Sequence, residues 1–148
     1  MDGLSSTIKK CRLQLKLDNP TEGYGNCFPN AIVQQCRRPE IEDWLLEHNS
    51  WALVKSQQAL RKQVKNFALK STHKTLHDYK TNYETILRNS DKSWTDYWNK
   101  MGQDGASVDS AFVQVAAWYM GLDIKVLTTS SKPEHPYITI TGDINVYS

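Results

Sequence analysis

A cysteine follows a glycine-rich stretch near the start of the chain, where the letters read GYGNCFPN. Gly23 and Gly25 permit backbone angles that a residue with a Cβ reaches only at a cost. Asn26 is a favourable helix N-cap, and Pro29 suits the first helical turn, where a missing N–H costs little. The pattern predicts a tight loop that leads into a helix with Cys27 at its N-terminus.

A thiol at a helix N-terminus is more reactive than an ordinary thiol. Unpaired N–H groups and the positive end of the helix dipole lower the pKa of a thiol there and favour the thiolate. Attack by a thiolate on a carbonyl also needs donors aimed at the oxygen that becomes negative, and a glycine-rich loop presents several N–H groups in one place. The other cysteines, Cys11 and Cys36, are predicted to be buried small hydrophobic residues.

The elements that must position Cys27 are predicted to be mostly helices. The first predicted helix covers about residues 27–37, and apolar residues recur at helical spacing after it. A strong later helix is capped by Asp109 or Ser107 and ends at Gly121. The further predicted helices cover residues 40–47, 56–70, 72–88 and 94–101.

The helix over residues 56–70 has the clearest pattern. Its apolar residues at helical spacing are Leu60, Val64, Phe67 and Ala68. The residues predicted to face water are Arg61, Lys62, Gln63 and Lys65.

After Gly121 the period changes to that of strands. Residues 123–128 and 137–141 alternate in polarity, Gly142-Asp143 is a turn signal, and Ile144 begins a predicted partner strand. Residues 8–17 also alternate, which favours a strand, although a short helix is compatible with their flanks. The sequence therefore predicts one α+β domain over residues 1–148, a helical body packed on a small C-terminal sheet.

Composition excludes several classes of protein. The chain has 148 residues, 39% of them hydrophobic, and a net charge of +2, which is too small to argue for nucleic-acid binding. No run of 18 apolar residues predicts a membrane span, and the N-terminus lacks a signal-peptide pattern. Three widely spaced cysteines form neither a disulfide framework nor a zinc pattern, so a cytoplasmic or nuclear location is expected.

Two blocks of this sequence resemble the ovarian-tumour (OTU) family of cysteine proteases. The run from Gly23 to Ala31 looks like the family's nucleophile motif, Asp-Gly-Asn-Cys-Phe/Leu-Phe-x-Ala. Residues 94–101 and 109–117 are similar to the family's second block, and residues 123–126 resemble its central strand. The resemblance covers roughly residues 20–148 in order.

The resemblance implies a papain-like α+β protease that cleaves isopeptide or peptide bonds at the C-terminus of ubiquitin or a ubiquitin-like protein. Its partners would be ubiquitin and ubiquitinated proteins, with no nucleic acid, membrane, cofactor or metal. Cys27 takes the position of the nucleophile. The backbone N–H groups of Cys27 and of the preceding Tyr24, Gly25 and Asn26 would form the oxyanion hole.

The sequence departs from the family at two positions. Tyr24 stands where the family usually has an acidic residue, which leaves a backbone donor but no acidic side chain. The family's histidine follows its last strands and usually precedes an aromatic residue, and nothing here matches it. We therefore expect the natural domain to continue past Ser148. His135, in the segment Pro133-Glu134-His135-Pro136, is a weak candidate for the general base.

Other patterns have simpler interpretations. His73 and His77 are spaced to share one helix face but have no third metal ligand. The aromatic residues of segments 94–98 and 118–119 are expected in the core. The rival functions are a ubiquitin-binding pseudo-protease without its general base and, with less support, a helical interaction domain.

Overall fold

A computed structural model describes residues 27–48, 56–86, 93–126, 133–134 and 138–147. Within these ranges the chain forms six α-helices, one antiparallel pair of strands and a final 3₁₀ helix. The helices are α1 (Cys27–Cys36), α2 (Pro39–His48), α3 (Gln57–Lys70), α4 (Lys74–Ile86), α5 (Trp94–Met101) and α6 (Ser110–Met120). The strands are β1 (Ile124–Val126) and β2 (Ile138–Ile140), and the 3₁₀ helix covers Ile144–Tyr147.

Helix α3 is the centre of the packing, because α1, α5 and α6 all contact it. Leu60 and Val64 on α3 are completely buried. Two polar side chains reinforce these contacts: Trp94 Nε1 donates to the carbonyl of Ala68 at 3.2 Å, and Tyr119 donates its hydroxyl hydrogen to Gln63 Oε1 at 2.9 Å. The helices α5 and α6 are therefore fixed to α3 by polar bonds as well as by apolar contact.

The helix ends follow the local sequence chemistry. Ser56 caps α3 by accepting from the backbone N–H of Ala59, and Ser93 forms a capping box with Asp96 at the start of α5. Asp109, not Ser107, caps α6. Gly121 ends α6 with φ of 67°, a left-handed conformation that glycine adopts at no steric cost.

The aromatic residues predicted to be in the core are largely buried there. Trp94, Tyr97, Trp98 and Met101 form the inner face of α5, as their spacing predicts. The ring of Trp94 packs edge-to-face with Tyr79 and Tyr83 on α4, with ring centroids 6.3 and 5.4 Å apart. Trp118 is also buried, whereas Tyr119 is half-buried.

The strands form a small antiparallel pair whose apolar residues share one face. Ile124 pairs with Ile140, Lys125 with Thr139, and Val126 with Ile138. The Ile124 end packs against the helical core, whereas Ile138 is 58% exposed. Burial thus decreases along this pair with distance from the helices.

The predicted partner strand from Ile144 is wrong, because the segment forms a 3₁₀ helix. The Asp143 carboxylate accepts the backbone N–H of Asn145 at 2.9 Å, a local bond that favours a turn over an extended strand. Ile144 packs against the helical core. Gly142, buried just before this turn, donates its N–H to the Asp123 carboxylate at 2.9 Å.

The described residues are mostly helical with a small antiparallel sheet, which is compatible with the α+β class. The predicted strand over residues 8–17 lies outside the described residues. No helix in the described ranges is long and apolar enough to cross a membrane.

Candidate functional site

The predicted nucleophile is the first residue of a helix. Helix α1 begins at Cys27, as the flanking glycines and asparagine predict. The oxyanion-hole residues Tyr24, Gly25 and Asn26 lie outside the described residues, as does His135. The helix start is therefore confirmed, and the donor loop stays a prediction.

Helix α1 is held firmly by its buried face. Pro29, Ile32, Val33 and Cys36 are buried along it at helical spacing, and the helix contacts both α2 and α3. At its last residue, the Cys36 thiol lies 3.8 Å from the Met120 sulfur on α6. Packing along the whole helix fixes the position at which its N-terminus, and with it Cys27, is presented.

Cys36 is buried as the sequence predicts, with 4% of its surface exposed. Burial raises the pKa of its thiol, because an apolar environment penalises the charged thiolate. A thiol held protonated in the core is a poor nucleophile. The two cysteines of α1 thus occupy opposite ends of one helix, and only Cys27 lies at the end where the dipole favours a thiolate.

The connection between α5 and α6 depends on Asp109. One of its carboxylate oxygens accepts the backbone N–H groups of Ala111 and Phe112, and the same oxygen accepts the Tyr97 hydroxyl hydrogen. Burial and the Asp109 carboxylate both raise the pKa of Tyr97. The sequence identified the Asp109 cap, but nothing in it indicated the tyrosine partner on the preceding helix.

Arg61 contradicts the prediction that it faces water, because its side chain is completely buried. Its guanidinium donates to the carbonyls of Met101 and Ala106, both at 2.7 Å, and to Gln57 Oε1 at 2.6 Å. The apolar stem is buried while the charged end donates to the carbonyl of the last residue of α5 and to a carbonyl of the connection that follows it. A signal was present: Arg61 is seven residues before Ala68, which places it on the buried stripe.

The Arg61 contacts extend to the surface through Gln57, whose side-chain amide donates to Asp104. Burial lowers the pKa of Arg61, and the Asp104 carboxylate opposes that effect by favouring the charged form. An arginine remains protonated at neutral pH in proteins. This network fixes residues 101–106, the first part of the connection that leads to Asp109 and α6.

His73 also differs from its predicted role. It precedes α4 instead of sharing a helix face with His77, and its carbonyl accepts the His77 backbone N–H at 3.0 Å. Its ring Nδ1 accepts the backbone N–H of Thr75 at 3.1 Å, while Nε2 lies 3.1 Å from Asn145 Oδ1. In the part of the chain that the structure describes, no group of three or more His, Cys, Asp or Glu residues could hold a metal ion.

Comparisons of this chain with protein-family models, with curated proteins and with solved structures gave no match.

Proposed function

We propose that this chain is a thiol-dependent cysteine protease that cleaves isopeptide or peptide bonds at the C-terminus of ubiquitin or a ubiquitin-like protein. The observation that carries the proposal is the start of α1 at Cys27, immediately after the glycine-rich segment. A helix start is where backbone donors and the dipole stabilise a thiolate and, later, an oxyanion.

In the proposed reaction, the Cys27 thiolate adds to the carbonyl carbon of the scissile bond. N–H groups of residues 24–27 stabilise the negative oxygen that forms. The C–N bond then breaks, and the leaving amine takes a proton from the general acid, which leaves the ubiquitin C-terminus as a thioester on Cys27. Water hydrolyses the thioester, and the general base removes the proton of that water. His135 is a weak candidate for this acid–base group.

The order of elements supports the same proposal. The segment that resembles the OTU family's second block folds as helix α5, a fixed connection and helix α6, and the segment that resembles the family's central strand contains strand β1. Both helices pack on α3, which also holds α1. The blocks that carry the resemblance are therefore joined through one central helix. With Cys27 requiring a reduced thiol, we place the protein in the cytoplasm or nucleus.

The alternative is a ubiquitin-binding module without catalysis. Its support comes from the sequence, in which no histidine matches the position of the family's general base. Under this alternative Cys27 begins a helix for structural reasons, and the ubiquitin-binding surface is retained.

The test uses ubiquitin that carries an electrophile at its C-terminus, with mass spectrometry to locate the modified residue. We expect one adduct, on Cys27, that Cys27→Ala abolishes and that alanine at Cys11 or Cys36 preserves. Calorimetry with unmodified ubiquitin and the Cys27→Ala variant measures binding separately. Binding without an adduct on the wild-type chain supports the non-catalytic module, and the absence of both contradicts both functions.

Iodoacetamide supplies a control that does not depend on the substrate. At pH 6.5 we expect Cys27 to react faster than Cys36, because burial holds the Cys36 thiol protonated. Equal rates for the two residues in the folded protein would contradict an activated thiol at the helix start. If Cys27 reacts fast with iodoacetamide but not with the ubiquitin probe, the result would support Cys27 as an activated nucleophile and contradict ubiquitin as the substrate.

A further inference from the structure

The start of α4 and the 3₁₀ helix meet at one side chain. His73 lies before the first turn of α4, and Asn145 lies within the 3₁₀ helix, 72 residues later. The imidazole of His73 contacts Thr75 through Nδ1 and Asn145 through Nε2, each at 3.1 Å. Thr75 is buried, with 5% of its surface exposed. One ring therefore joins a helix start to the last described element of the chain.

The two contacts determine the protonation state of the ring. Because the backbone N–H of Thr75 is a donor, Nδ1 must accept and carries no hydrogen. The hydrogen of the neutral ring is then on Nε2, which donates to the Asn145 side-chain oxygen. Both bonds require the same neutral tautomer in the same ring orientation.

We propose that the His73–Asn145 pair is an acid-sensitive latch between α4 and the 3₁₀ helix Ile144–Tyr147. Protonation places a hydrogen on Nδ1, which then faces the N–H of Thr75, donor against donor. It also places a positive charge at a helix N-terminus, where the dipole disfavours it. The ring relieves both effects by turning away from Thr75, and that rotation carries Nε2 away from Asn145.

The surroundings do not supply a competing buried charge among the described side chains. The described acidic, lysine and other histidine side chains on the first two turns of α4 and on the neighbouring elements are exposed, so solvent screens them. They are Lys70, Lys74, His77, Asp78, Lys80, Asp96, Lys100 and Asp143. Burial and Asp109 raise the pKa of Tyr79 and Tyr83 on α4, which are therefore neutral throughout the acidic range.

The direction of the pH effect follows from the closed geometry. Because the closed latch needs the unprotonated ring, acid favours the open form, and histidine is the side chain that ordinarily changes charge between pH 5 and 8. Opening is local, since Ile144 stays packed against the core and the Asp143 and Asp123 bonds do not involve His73.

Hydrogen exchange measured by mass spectrometry at pH 7.5 and 5.5, corrected for intrinsic rates with unfolded peptides, tests the latch. In the wild-type chain we expect peptides covering the start of α4 and residues 143–147 to exchange about fivefold faster at pH 5.5, the effect of losing one N-terminal cap. His73→Asn should abolish this difference, because asparagine caps a helix start without titrating. His77→Asn, one turn later and exposed, should retain it.

Two further measurements test the latch without the His73→Asn variant, in case that variant fails to fold. Asn145→Ala should speed exchange of residues 143–147 at pH 7.5 and leave the start of α4 protected. Nitrogen NMR of the wild-type chain at pH 7.5 should show the His73 hydrogen on Nε2. A hydrogen on Nδ1, or a pH effect that His77→Asn removes and His73→Asn retains, would overturn the proposal.

Discussion

The helical body, α1 to α6, and the C-terminal segment, β1 to the 3₁₀ helix, are held by different kinds of contact. The body interlocks through large side chains: Trp98, Phe112, Leu60 and Leu45 are completely buried within it. Polar contacts of the C-terminal segment with preceding residues include the bond from the Gln114 side chain to the Thr141 carbonyl, the Asp123–Gly142 bond and the His73–Asn145 pair. Redundant packing makes the body tolerant of small changes, whereas the segment combines such polar contacts with the packing of Ile124 and Ile144 against the core.

Loss of the Arg61 side chain is the largest effect we expect, because it removes a contact that packing cannot replace. Arg61→Met keeps the apolar stem but leaves the carbonyls of Met101 and Ala106 without their buried donor. We expect the free energy of unfolding to fall by about 3 kcal/mol, measured by urea titration. Lys62→Met, the exposed neighbour, is the matched control and should change stability by less than about 0.5 kcal/mol.

Gly142 tests how closely the C-terminal segment approaches the body. A Cβ at this position would clash with the Leu122 carbonyl oxygen, and a backbone atom cannot move aside as a flexible side chain can. Gly142→Ala should therefore cost about 2–3 kcal/mol in thermal or urea unfolding.

Gly121→Ala separates close approach from backbone strain. Gly121 has φ of 67° and open space around its would-be Cβ, so alanine there suffers the left-handed penalty alone, about 1 kcal/mol. An equal loss of stability at the two glycines would mean that the Gly142 turn moves aside, and that the segment is attached more loosely than its contacts indicate.

Tyr97 makes a smaller, pH-dependent contribution to the stability of the helical body. Tyr97→Phe removes the bond to Asp109 but leaves the two backbone bonds of the helix cap, so we expect a loss of about 1 kcal/mol at pH 7. Burial, with Asp109, raises the pKa of Tyr97 in the folded state. Its contribution is therefore complete below the unfolded value of about 10 and declines at higher pH.

Unfolding titrations at pH 7 and pH 11 measure this term. We expect the wild-type chain to lose more stability between these two conditions than Tyr97→Phe does, because the variant has one fewer group that releases a proton on unfolding. An identical loss in both proteins would show that the folded state does not hold the Tyr97 proton, contrary to its buried position beside Asp109.

The body was more predictable from sequence than the contacts that connect its parts. Helical spacing and caps predicted α3, α5 and α6 to within a residue or two, because each signal is local. Arg61 was mispredicted because a buried cation is rare without partners, and its partners come from carbonyls 40 and 45 residues away. The 3₁₀ helix was mistaken for a strand because Ile144, Asn145 and Val146 alternate in polarity as strand residues do. That alternation gives no sign of the bond between Asp143 and the Asn145 N–H that favours a turn.

The candidate site divides in the same way. The start of α1 lies at Cys27, where the sequence predicts it from Asn26 and Pro29, residues close by in the chain. An acid–base partner for Cys27 would come from a distant segment, and no local pattern identifies such a residue. The His73–Asn145 pair was missed for the same reason.

The smallest effect should come from the far end of the sheet, where β2 offers a comparison within one strand. Ile138 is 58% exposed, whereas Ile140, two residues later on the same face, is half-buried and pairs with Ile124 at the core. Threonine keeps the β-branch that suits a strand and replaces the ethyl group of isoleucine with a hydroxyl. Ile138→Thr should therefore change the free energy of unfolding by no more than about 0.5 kcal/mol, and Ile140→Thr should reduce it by about 1–2 kcal/mol. Paired urea titrations of the two variants show whether the stability contributed by β2 differs between its ends or is the same along the strand. Equal losses would mean that the folded chain covers the Ile138 end, and the contrast between a densely packed body and a thin C-terminal segment would then fail.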